Sequence, residues 1–126
     1  MTDEQTALSR RLVACKGWRW MPGMLRLRAT PPGRRDHLKR EGRVLDWDDT
    51  WVYAAWPVIP DVTDAATLGC LLALVREAWG DPYLCCVGDR ETGWRLDGYA
   101  AVEALHSYRC EAEALVAALE AAPTPG

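Results

Sequence analysis

The stretch between residues 18 and 43 is where this sequence first gathers groups able to do chemistry. Arg26, Arg28, Arg34, Arg35, Lys39, Arg40 and Arg43 follow Trp18 and Trp20, which sit in the run GWRWMPGM at 17–24. Phosphate binding needs several cations on one exposed surface. Single-stranded nucleic acid adds aromatic platforms on which bases stack. Both ingredients are present. A sequence pI near 5.3 speaks against a dedicated nucleic-acid binder, whose binding domain is typically basic. A solvated loop accounts for the same residues.

The second set is acidic: Asp46, Asp48 and Asp49 in DWDD, with Asp61 and Asp64 beyond. Hard divalent cations take carboxylate oxygens, but the spacing lacks the glycine and distal glutamate of an EF-hand loop. Aspartate at turns is explained by its local backbone hydrogen bonds. A dense acidic face could also dock on an arginine-rich surface. The third set is thinner. His106 and Cys110 could form an activated thiol pair if one helix spanned both, yet the chain is expected to break near Ser107. His37 lies in the basic loop. The five cysteines (Cys15, Cys70, Cys85, Cys86, Cys110) form no C-x-x-C pair and offer no zinc spacing. They read as small buried hydrophobes in a reducing cytoplasm. No catalytic, cofactor or metal residue is assigned.

The elements that must position these groups follow from the rest of the chain. Its 126 residues fit one domain. There are 7 Trp and 4 Tyr but no Phe. Asn is absent and Arg far outnumbers Lys, as a GC-rich genome would produce. Charge is divided: residues 1–45 carry a net +7 and residues 46–126 a net -10, which together give the formal -3. Either one end faces a charged partner or the halves fold against each other and neutralise. The polar N-terminus reads as no secretory signal, and no apolar run reaches the length of a membrane span.

A capping box at Thr2 and Gln5 predicts a helix over 2–16 stopped by Gly17. LRLRA (25–29) alternates as a half-buried strand. TPPGRRDHLKREGR (30–43) reads as an exposed basic loop with a helical turn near 35–40. VLDW (44–47) and WVYAAW (51–56) read as extended, the latter ended by Pro57 and Pro60. Asp64 caps a helix over 64–79, with Leu68, Leu71, Leu72, Val75 and Trp79 on one face and Gly80 as its stop. YLCCV (83–87) and WRLDGY (94–99) read as a hairpin around GDRETG. AAVEALHSY (100–108) fits a strand or a short helix. EAEALVAALEAA (111–122) is a helix with Cys110 where a capping Ser or Thr would be expected, and 123–126 a tail. Within GWRWMPGM, Met21–Met24 fits a type II turn that redirects the chain from helix to strand. This order predicts an α+β domain, a mainly antiparallel sheet packed against N-terminal, central and C-terminal helices. Some of Trp47, Trp51 and Trp56 are expected to stay partly exposed.

The stretches WRWMPGM, PDVTDAATLGCLLALVREAWGDP and EAEALVAALEAAP resemble a set of small accessory proteins encoded by tailed phages and prophages. The resemblance implies a phage or prophage gene and a host cytoplasmic setting. It implies no activity and carries no site residues, since its motifs are helix stripes and caps. The expectation is therefore a small non-enzymatic interaction protein, monomer or homodimer. It would bind and modulate a host macromolecular machine, as defence inhibitors of the anti-CRISPR type do. Its partner-facing candidates are Trp18, Trp20, Arg26, Arg28, Arg34, Arg35, Lys39, Arg40, Asp46, Asp48 and Asp49. The alternatives are a nucleic-acid module using residues 18–43 and a metal-dependent hydrolase using the aspartates at 46–49.

Overall fold

The computed structural model describes residues 2–29, 38–44, 58–97 and 108–123. Helix α1 (Asp3–Val13) starts at the predicted capping box: Thr2 Oγ1 accepts from the Gln5 amide and Gln5 Oε1 from the Thr2 amide. It ends three residues earlier than Gly17 would have it, at Ala14, whose amide bonds back to Arg11 and Leu12. Gly17 has another role. A Cβ there would stand 3.0 Å from Leu119 Cδ1, so its bareness lets the last helix approach.

The corner at Met21–Met24 forms as the Pro-Gly pair dictates. The Met24 amide donates to Met21 O at 3.1 Å, and Gly23 takes φ +99, which the third position of a type II turn requires. Strand β1 (Leu25–Ala29) follows and is the centre of a three-stranded antiparallel sheet, flanked by β2 (Leu38–Arg43) and β3 (Val58–Pro60). Two expectations are corrected here. Residues 38–43 are not loop but strand: β1 offers a ladder, and the register shift between Arg26 and Leu27 absorbs the irregular REGR sequence. Beyond Pro57, where the extended stretch is expected to end, Val58–Pro60 form a strand, and Pro60 closes it at the end of an edge strand where a missing amide is tolerated. The proposed strand at 51–56, the tryptophans at 47, 51 and 56, and the strand-or-helix at 100–107 lie outside the described residues.

Helix α2 (Ala65–Trp79) matches its prediction at both ends. Asp64 accepts from the Thr67 amide. Past the end, Gly80 and Asp81 amides return to Glu77 and Arg76 carbonyls, closing the helix as a Schellman motif. The buried face centres on Thr67, Leu71, Leu74 and Val75, with Leu68 and Leu72 only partly covered. Strands β4 (Cys85–Asp89) and β5 (Gly93–Asp97) form the expected hairpin, shifted toward the turn. Asp89 Oδ1 organises that turn, accepting from the Glu91 and Thr92 amides and the Thr92 hydroxyl. Gly88 cannot be replaced there: a Cβ would lie 2.1 Å from Gly93 O. Tyr108 adds a bridge to Trp94 on the outer edge of β5. Helix α3 (Glu111–Ala121) then begins at Cys110, which makes no side-chain cap.

Three helices and antiparallel strands thus give an α+β fold. α3 is the central post, with Ala114, Leu115, Val116 and Ala118 fully enclosed. It meets Leu8 and Leu12 of α1, Leu71 and Val75 of α2 and Leu96 of β5 in one apolar cluster. A second cluster joins Trp20, Met24, Val44 and Leu74. Ser9, fully buried on α1, ties the helix to the sheet by donating to Pro60 O at 2.8 Å.

Candidate functional site

Part of the divided charge is paired across the fold. Arg11 grips Glu120 with two hydrogen bonds, of 2.5 and 3.1 Å. Arg19 meets Glu77 at 2.7 Å. Arg43 forks onto both oxygens of Asp64 at 2.6 and 2.7 Å and also donates to Gly23 O at 3.0 Å. Each pair joins the basic first third of the chain to the acidic remainder. The Arg109–Glu4 pair, at 3.6 Å and more than 80 % exposed on both sides, adds little.

Asp64 is the most constrained of these groups. Besides Arg43 it accepts from the amide and hydroxyl of Thr67, whose own Oγ1 accepts from the Leu25 amide at 2.9 Å. One carboxylate therefore joins β1, β2, the Met21–Met24 corner and α2. The Arg43 guanidinium, with help from Thr67, holds Asp64 far below the usual carboxylate range. Asp61, a member of the acidic set seen in the sequence, is buried and takes the amide and hydroxyl of Thr63 on Oδ1. Both aspartates are employed as backbone caps. Among the described residues no three His, Cys, Asp or Glu side chains gather as a metal set. Asp46, Asp48, Asp49, Arg34 and Arg35 lie outside the described residues.

The fold separates the remaining sequence candidates. Trp20 is buried at 6 % exposure and cannot present a stacking face, so its place among partner-binding residues is corrected. Trp18 is half-buried and meets Trp20 edge to face, with ring centroids 5.3 Å apart. The pair packs on Leu74 of α2 in the second cluster, and Trp18 also packs against the main cluster that holds Leu8 and Leu12 of α1. Arg26 and Arg28 occupy the β1 positions that alternate with buried Leu25 and Leu27. Arg26 donates to Gly42 O at 3.1 Å, across its own sheet. The register sets Lys39 opposite Arg28 but Arg40 opposite Leu27.

Sequence reasoning did not foresee a cleft of about 640 Å³ between the C-terminal ends of α1 and α3 and the flank of α2. Its floor is apolar: Trp18, Leu74, Ala78 and Leu119, with Cys15 and the bare Gly17 beside them. Its rim carries the Arg11–Glu120 and Arg19–Glu77 pairs and Lys16. The volume is in the range of ligand pockets. Only Trp18 of the sequence candidates lines it. The signal was available in Gly17 and Lys16 past the helix end, but it needs α3 in place to be read.

Three of the thiols are poor nucleophiles. Burial pushes Cys15 and Cys70 up from the ordinary thiol range. Cys86, packed against the main cluster beside Glu111, is pushed up to about 12, burial being the chief cause. In the native protein, iodoacetamide at pH 8 is expected to label the exposed Cys110 first and Cys86 slowest, as peptide mass spectrometry over time would show. Rapid labelling of Cys86 would mean that its strand opens.

No family model, no curated protein and no solved structure matches this chain. Among the described residues, no helix is long and apolar enough to cross a membrane.

Proposed function

We propose that this chain is a small interaction protein, encoded by a phage or prophage, that binds a bacterial host machine and modulates it without chemistry of its own. The observation that carries the reading is the cleft: an apolar floor with a pre-set tryptophan, rimmed by ordered charges. Interface hot spots favour Trp and Arg in such settings. Trp18 is held by Trp20, so little side-chain freedom remains to be lost on binding. The host setting rests on the sequence resemblance. Inhibition of a defence system is one form such modulation would take.

The test is capture from nuclease-treated bacterial lysate on immobilised chain at ~50 mM salt, where charge-assisted contacts are strongest. A saturable protein partner, displaced by excess free chain, is expected. Recovery of the chain alone counts against the reading. A second reading, nucleic-acid binding, is favoured by Arg26, Arg28 and the Lys39 position on adjacent strands. It requires binding that weakens steeply with salt and disappears with nuclease.

A further inference from the structure

The cleft at the α1 and α3 C-termini has chemistry specific enough to name what it takes. Resting on the interaction reading above, we infer that it receives a partner-protein segment in which one apolar side chain stands beside carboxylates. The apolar part is set by the floor, where Trp18, Leu74, Ala78 and Leu119 form a concave surface. Gly17 leaves room at its edge.

The charge of the segment follows from which rim groups are already engaged. Three cations and two carboxylates line the cleft. Both carboxylates are taken, Glu120 by Arg11 and Glu77 by Arg19. Arg19 holds Glu77 below the usual carboxylate range, and Arg11 holds Glu120 by two hydrogen bonds. Lys16 is exposed and has no hydrogen-bonding or ion-pair partner among the described residues. Among the described charged side chains of the lining, Lys16 is thus the one not engaged in an ion pair, and it is exposed. Charge complementarity selects an anion there and rejects a second cation. A basic segment would have to compete with Arg11 and Arg19 for their glutamates.

The test uses two blocked tripeptides with a central leucine, one flanked by aspartates and one by lysines. Both are titrated into the 15N-labelled full chain by NMR. The acidic peptide is expected to shift the amides of Gly17, Ala78 and Leu119, with an affinity of about millimolar for so small a probe. The basic peptide should bind at least about tenfold more weakly, and Lys16→Glu should reverse the preference. Equal response to both peptides, shifts elsewhere, or none at ~10 mM, well above that affinity, overturns the inference. So do cleft shifts that grow with protein concentration alone, which would make the occupant a second copy. Lys16 is exposed, so its replacement leaves the fold intact. The two claims fail separately. A captured partner whose binding ignores Lys16→Glu leaves the interaction reading standing and removes this one.

Discussion

Trp20→Ala is expected to lower the unfolding free energy by about 3–5 kcal/mol, the usual range for removing a buried tryptophan. The residue sits at 6 % exposure and closes the second cluster with Met24, Val44 and Leu74. It also backs Trp18 edge to face, a contact worth about 1 kcal/mol beyond burial. The loss is larger than a surface aromatic could produce. Denaturant unfolding with the midpoint and slope both recorded would measure it, and Trp20→Phe should recover most of it. An alanine variant as stable as wild type but weakened in nucleic-acid binding would return Trp20 to the surface role that its neighbouring arginines suggest.

Asp64→Ala is expected to cost about 2–3 kcal/mol. Loss of an N-cap alone costs about 1 kcal/mol. The buried Thr67 hydroxyl would also lose its acceptor, which adds about 1–2 kcal/mol. Asp64→Asn should cost less, because asparagine caps as well as aspartate, but it no longer binds the Arg43 fork. The pH dependence separates the two contributions. Asp64 is held far below its ordinary range in the folded chain by Arg43 and Thr67, so the unfolded chain binds its proton first as pH falls. The stability it contributes is therefore complete above the ordinary carboxylate range, about pH 4 and upward, and drains away on acidification below it. The gap between wild type and Asp64→Asn should be flat from pH 5 to 8 and close below about pH 4. A gap that persists at low pH would mean that shape, not the ion pair, makes the difference.

What the sequence made legible was local. The capping box at Thr2, the Asp64 cap, the Gly80 stop, the Met21–Met24 turn and the β4–β5 hairpin each depend on a few adjacent residues, and all are present. The α+β class followed from their order. What was not legible depends on distant partners. Residues 38–43 look like loop because REGR has no alternating apolar pattern, and only the β1 ladder makes them a strand. Arg19, Glu77 and Glu120 carried no signal in the sequence, since ion pairs between residues 58 and 109 positions apart leave no periodicity. The same holds for the cleft: its walls come from two helix ends and the flank of a third helix, which only the assembled core brings together. Within the basic and aromatic run, Trp20 in the core and Arg43 on Asp64 hold the molecule together. Trp18 alone among its aromatics reaches the candidate site.

The most direct measurement is photo-crosslinking in bacterial lysate from two single positions. A benzophenone-bearing residue replaces exposed Ala14, which lines the cleft, or Arg95, exposed on β5 outside it. A docking role for the cleft predicts one saturable protein adduct from position 14, lost with Lys16→Glu, and none from position 95. An adduct from position 95 alone, or equal adducts from both positions that ignore Lys16→Glu, would contradict it.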